Sequence, residues 1–309
     1  MGSRSHRRRH ARRRLRSSDR GVAAVVGTLL ALLVFLAIFG IFLSDYLPLW
    51  MQDNEESFSA TVANQFGNIQ DTMGKLYLNS KTGFAVANPV TMQSDSVPVF
   101  SQPTQGVLSF LENKQLYTNL TFHLQGSGQW FSQNVTPAGE LTMSLPNRYY
   151  VPITFSLQDG AVIQAQPGAA QQIMLFSPSV LANSSGQQSS LYITLYAAYG
   201  NSTQESYIQT DNVYTSLIGS QQYPGRAGTA VYDNFTTEYS CAWSKYWNST
   251  FSALNATGYP ATVSVVPNPS VACSTSAQGG IQMMHVSFST VTNFMLTVVA
   301  YNVDVGVVT

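Results

Sequence analysis

Hydrophobic positions along the chain fall into three regimes. The first is a continuous run: Val22 to Leu43 is 22 residues without a charge, and Thr28 is its only polar side chain. As a helix rising 1.5 Å per residue it reaches about 33 Å, enough to cross a bilayer core of about 30 Å. The second regime is periodic. Phe58, Val62, Phe66, Ile69, Met73 and Leu76 recur three or four residues apart, with Ser59, Asn64, Gln65, Asn68, Gln70 and Asp71 between them. That spacing predicts a helix with one apolar face. The third begins beyond residue 80, where short alternating stretches replace the helical period. They lie at 106–111, 116–124, 140–145, 149–157, 161–165, 172–176, 191–198, 282–289 and 294–305, bounded by Gly, Pro, Asn and Ser. Strands of this length predict an antiparallel sandwich or barrel.

Punctuating residues sharpen the picture. Pro48 predicts a kink or break after the apolar run. Asp53 with Glu56 resembles a capping box, and the cluster Asp53-Asn54-Glu55-Glu56 reads as a solvated helix start. The periodic helix ends near Asn79, with Gly83 soon after. Asp159-Gly160 between two strands is a two-residue hairpin signal. Pro152 places its strand at an edge or at a strand start. One later stretch, Asn234 to Leu254, is helical in pattern, with Tyr239, Trp243, Tyr246, Trp247 and Phe251 at mixed spacings of three and four; it predicts a short helix covering the sheet, its aromatics packed in the core. The fold class expected is α+β, a long N-terminal transmembrane and amphipathic helix followed by an antiparallel β-sandwich-like extracellular domain. The segments are a basic leader at 1–21, a transmembrane helix at 22–43, an amphipathic helix at 44–78 and a β-rich domain at 79–309.

Charge adds a direction. The net charge is zero, but residues 1–20 hold nine arginines against Asp19 alone, whereas from Ser44 onward six Lys/Arg face fourteen Asp/Glu. Positive flanks stay cytoplasmic, which puts residues 44–309 outside. Tyr46 and Trp50 sit where interfacial aromatics belong. The exit, Ser44-Asp45-Tyr46-Leu47-Pro48, lacks the small-x-small pattern of an ordinary signal peptidase site, and the run is longer than a secretory h-region. Only 10% of residues are charged. Ser, Thr, Asn, Gln and Tyr carry the polarity instead, a composition of secreted or surface domains. Few carboxylates also means less stability lost on acidification.

Two readings of the junction stand. One is a permanent anchor with a basic cytoplasmic tail. The other is a class III signal peptide: Arg20-Gly21 followed by Val22 resembles the processing site of archaeal type IV pilin precursors. That resemblance implies a prepilin-type peptidase cutting after Gly21 and leaving the helix on the mature chain. The stretch "NRYYVPITFSLQDGAVIQAQPGAAQQIMLFSPSV", residues 147–180, is similar to a pattern in pilin-like surface proteins of haloarchaea and related archaea. The family implies a cell-surface or filament location, with the lipid bilayer, the peptidase and other pilin-like subunits or further copies of this chain as partners. It implies no catalytic site and no cofactor. The stripe Phe58 to Leu76 is then either a stalk packing on the body or the spine of a filament.

Cys241 and Cys273 lie outside on this topology, where an even pair reads as a disulfide closing a loop of about 30 residues; two buried free thiols are the alternative. Seven N-x-S/T sequons, at Asn119, Asn134, Asn183, Asn201, Asn234, Asn248 and Asn255, all fall in the body and are glycosylation candidates. Outside the leader the only histidines are His123 and His285, both on expected strands and read as structural. No metalloprotease, Walker, nucleophile-elbow or EF-hand motif is present, so no catalytic residue or metal ligand is assigned. The arginine leader stands before a membrane span, where topology control and anionic-lipid contact account for it without nucleic acid. The function expected is a pilin-like structural or adhesive surface protein, assembled as a minor subunit. The alternatives are a monomeric signal-anchored binding domain and an anchored hydrolase using His123 or His285.

Overall fold

The computed structural model describes residues 6–97, 101–123, 125, 128–168, 171–185, 188–206, 210–256, 263–276 and 281–306. The chain divides into two compact units, Met1–Gln52 and Asp53–Thr309. In the first, α1 runs His6–Ile41, a π-helical turn spans Phe42–Tyr46, and α2, Leu47–Leu78, begins. Every residue from Val22 to Ile38 is exposed. This helix is long and apolar enough to cross a membrane.

Pro48 neither breaks nor ends the helix. Its ring lacks an N–H and crowds the carbonyl four residues back. The chain answers with a wider turn, in which the Leu47 N–H donates to the Phe42 carbonyl, five residues back. Because α2 starts at Leu47, Asp53 lies within the helix. The expected capping box does not form.

The second unit holds the rest of α2 and the sheets. The strands are β1 Ala85–Val90, β2 Val107–His123, β3 Trp130–Leu145, β4 Ile153–Gln158, β5 Ala161–Ala165, β6 Gln172–Phe176, β7 Ser179–Ser185, β8 Gln188–Tyr199, β9 Thr203–Glu205, β10 Asp211–Pro224, β11 Thr229–Thr237, β12 Val263–Val266, β13 Gln282–Val291 and β14 Asn293–Val305. One sheet has the order β1-β10-β14-β8-β7; the other runs β12-β13-β11-β2-β3-β4-β5-β6, with β9 also pairing β2. The architecture is α+β, a long apolar N-terminal helix and a largely β domain. Among the described residues the strands pair antiparallel except β8 with β14, which run parallel from Ser190↔Asn293 to Tyr199↔Asn302. A parallel pair needs a long crossover; here it is the entire stretch from β9 to β13.

Local chemistry explains the boundaries. At Asp159-Gly160 both residues have positive φ, 48° and 78°, the hairpin geometry that joins β4 to β5. Pro152, without a donor, directly precedes β4. The expected helix at 234–254 begins only at Ser240, as α3, Ser240–Ala256. Residues 234–237 finish β11, whose burial alternates with the strand period of two. Tyr239, Trp243, Trp247 and Phe251 are buried, with Tyr246 beside them. A short α4, Pro269–Ser276, carries Cys273, which is bonded to Cys241 of α3 across 32 residues. Closing a loop of that length constrains the unfolded chain by about 3–4 kcal/mol in the chain-entropy account.

All six stripe residues, Phe58 to Leu76, are buried, none more than 6% exposed. They share one cluster with Leu108, Phe155, Tyr196 and Tyr301 from both sheets. At roughly 1.5–3 kcal/mol for each large side chain, this face alone commits the helix to the body. Two polar contacts fix its position: Tyr301 Oη donates to the Met73 carbonyl at 2.7 Å, and Gln70 Nε2 to the Ser177 carbonyl at 2.8 Å. Gly67 lets the Phe176 ring approach closely: a Cβ there would lie 2.5 Å from the ring and displace it.

Candidate functional site

Three places among the described residues bring polar or aromatic side chains together. The first is Glu55, which is wholly buried rather than solvated. Its carboxylate accepts the backbone N–H groups of Arg148 (3.0 Å), Tyr149 (2.8 Å) and Tyr150 (2.7 Å), and the Thr104 hydroxyl. Burial alone would raise its pKa, but these four bonds together outweigh burial and hold it below the ordinary value. The site joins α2 to the β3–β4 connection. It is a structural lock.

The second place is the outward face of the larger sheet. Along each strand alternate side chains face out. Leu120 and Phe122 point into the core, so Asn119, Thr121 and His123 take the other face; on β11, Val231 and Phe235 are buried, which leaves Tyr232 and Asn234 outward. Register then sets neighbours: His123 faces Trp130, Thr121 faces both Ser132 and Tyr232, and Asn234 faces both Asn119 and His285. The result is a row of rings across four strands. Centroids lie 3.9 Å apart for His123–Trp130, 5.8 Å for Trp130–Tyr232 and 6.0 Å for Tyr232–His285. Trp130 is 55% exposed. His123 Nδ1 donates to the Gly128 carbonyl at 2.9 Å, and His285 Nδ1 to Asn234 Oδ1. Among the described residues neither histidine is bonded to a carboxylate. Both lie on strands, as the sequence predicts, and strand parity turns their side chains to the outward face.

No known family model, curated protein or solved structure matches the chain. What these places can do follows from their own chemistry.

The third place is a small cavity of about 10 Å³ lined by Thr118, Asp159, Asp233, Trp243 and Trp247 among others. None of its lining residues is basic. Thr118 Oγ1 donates to Asp159 Oδ2 at 3.1 Å, whereas Asp159 Oδ1, Asp233 Oδ1 and Trp247 Nε1 have no hydrogen-bond partner among the described residues. Burial pushes the Asp159 carboxyl up to about 6, against the pull of the Thr118 bond. It pushes Asp233 well above the ordinary carboxylate value, and the neighbouring Asp159 charge adds to that. Two carboxylates shut from solvent can store a proton, but the cavity is too small for an organic substrate.

The predicted site residues are scattered over these surroundings. Arg20 and Gly21 fall in α1, with side chains outside the described set; Val22 is exposed. Asn183, Asn201 and Asn248 are exposed. Asn119 is buried, its Nδ2 donating to Ser132 Oγ at 2.7 Å and its Oδ1 accepting from Thr121 at 2.8 Å. Asn134 lies opposite Asn119 in the register, and Asn234 lies on Asn119's other side. Glycans on neighbours in this row would start only about 5 Å apart. The side chains of Asn134 and Asn255 are outside the described set.

Proposed function

We propose that this chain is a pilin-like structural or adhesive cell-surface protein, held in the membrane by Val22–Leu43, with its β-sandwich-like body outside. The observation that carries the reading is the junction itself. Nine arginines end at Gly21, and the helix that follows exposes an unbroken apolar surface. Such a surface demands lipid or other apolar helices. The positive flank favours a cytoplasmic N-terminus. Processing after Gly21 by a prepilin-type peptidase would leave the helix to anchor the subunit or to join a filament as a minor component. The body's interior stripe, Phe58 to Leu76, is consumed in packing against its own sheets, which supports the stalk reading for that segment and leaves the segment from Val22 as the assembly surface. The cysteine pair suits an oxidising exterior.

The test is the N-terminus of the mature protein, read by mass spectrometry of native membrane or surface fractions. A start at Val22 is expected. Retention of the arginine leader would sink the pilin reading and leave a signal-anchored monomer, whose binding role the exposed ring row favours. Glycopeptide mapping of the same material is expected to find glycans at Asn183, Asn201 or Asn248 and none at Asn119, whose amide nitrogen is already bonded.

A further inference from the structure

We propose that the outward face of β3, β2, β11 and β13 is a carbohydrate-binding platform, taking a neutral polysaccharide chain across the row Trp130, His123, Tyr232 and His285. The inference concerns the body alone and holds whether or not the chain assembles. The rings run in a row across four strands at 3.9 to 6.0 Å centroid spacing, tilted 42°, 40° and 22° to their neighbours, with Trp130 exposed and the other three half-buried, so the row forms an open ridge. Sugar rings present a face of C–H bonds with partial positive charge. Aromatic faces carry negative charge and attract it. The hydroxyl rim of the same sugar needs donors and acceptors at the edges of the stack. Here Thr121, Ser132 and Asn234 occupy outward positions beside the rings by register; Thr121 and Ser132 already bond Asn119, and Asn234 accepts from His285, so a sugar meets their remaining donors and acceptors. A soluble domain leaves a tryptophan more than half exposed at a cost, and tryptophan and tyrosine are the residues that dominate recognition surfaces.

Charge decides the ligand class. Residues 119, 121 and 123, residues 130 and 132, residues 232, 234 and 236, and residues 283, 285 and 287 include no Asp, Glu, Lys or Arg. A nucleic acid offers the same stacking chemistry but calls for a track of cations along its phosphates. Arg226, in the connection before β11, is a single cation where several would be needed. An uncharged polymer with stacking faces fits; a polyanion does not.

The experiment uses the full-length chain in a detergent without a sugar headgroup, run in native gels containing a β-glucan (laminarin), a yeast α-mannan or glycol chitin. Retardation by at least one polysaccharide is expected. Trp130→Ala is expected to weaken it at least tenfold, and Trp130→Phe, which keeps a ring, to weaken it less. Because Trp130 is largely exposed, both variants are expected to melt with the wild type, which separates a lost platform from a lost fold. Three results would overturn the proposal: no retardation by any of the three polymers, equal retardation of Trp130→Ala, or binding of a single-stranded oligonucleotide in place of all three. None of these outcomes bears on the mature N-terminus, so this proposal and the anchoring reading fail separately.

Discussion

Asp159→Asn is expected to raise the melting temperature of the body at pH 7 and above and to leave it nearly unchanged at about pH 3. The carboxyl is fully buried, faces no cation, and titrates near 6 in the folded chain against an ordinary value of 3.8. Folding therefore favours the protonated form. The stability it permits is fully present below 3.8, declines as pH rises toward 6, and stays reduced above. A displacement of that size corresponds to about 3 kcal/mol at neutral pH. In a domain of this size that is a rise of about 6–12 °C. Asparagine suits the position for a second reason. Residue 159 sits at φ 48°, a conformation asparagine tolerates better than most residues, and Asn-Gly makes the same hairpin turn as Asp-Gly. The variant thus removes the charge without disturbing the backbone. Thermal melts of wild type and variant from about pH 3 to 8 check it. A stabilisation of equal size at every pH would show that ionisation is not the cause.

Asp233 extends the same argument. It is raised by burial first and by the Asp159 charge second, so the pair releases its protons in two coupled steps. Removing the charge at 159 removes the second contribution. The cavity thus favours folding in acid, as the sparse carboxylate content suggests of the whole body, but here the cause is two particular groups. Sequence pattern gave no sign of them. Asp159 reads in the sequence only as a turn residue, and Asp233 stands at a core position of β11, a strand whose alternation the sequence pattern does not reveal.

What the pattern does reveal is whatever one element decides alone. The apolar run, the stripe from Phe58 to Leu76 and the Asp159-Gly160 turn follow from spacing and backbone preference within a few residues. The stripe is buried at every position predicted. Features decided by distant partners stay hidden. The parallel pairing of β8 with β14 joins residues about a hundred positions apart. The ring row depends on register between four strands, and a slip of one residue would send each ring to the other face. The sequons show the same limit from the other side. Asn119-x-Thr121 and Asn234-x-Thr236 have the strand's own period of two, so a polar outer face writes the motif with or without a glycan. The pattern was visible, but its structural cause was not.

Glu55→Ala is expected to be the most damaging single change in the body away from the hydrophobic core. The acidic cluster it belongs to looked like a solvated helix start, because its partners lie about 50 and 95 residues further on. With the carboxylate gone, the N–H groups of Arg148, Tyr149 and Tyr150 lose their acceptor at once, together with the Thr104 hydroxyl. Hydrogen bonds to a charged acceptor contribute about 1.5–3 kcal/mol each and do not add fully, so a loss of about 3–5 kcal/mol is expected. Glu55→Gln keeps the shape but turns one donor toward three others, and is expected to lose somewhat less. The pH dependence runs opposite to that of Asp159. The folded pKa of Glu55 lies below its ordinary 4.5. Its contribution is therefore present above 4.5 and lost as pH falls through the lowered value. The destabilisation by Glu55→Ala should thus be full at pH 5 to 7 and shrink toward pH 2. Together the two groups confine maximal stability to mildly acidic solution: Glu55 weakens the fold below that range, and Asp159 weakens it above. Denaturant melts of Glu55→Ala across the same pH series decide the matter. A loss as large at pH 2 as at pH 6 would mean that packing around the side chain, and not the bound backbone donors, carries its effect.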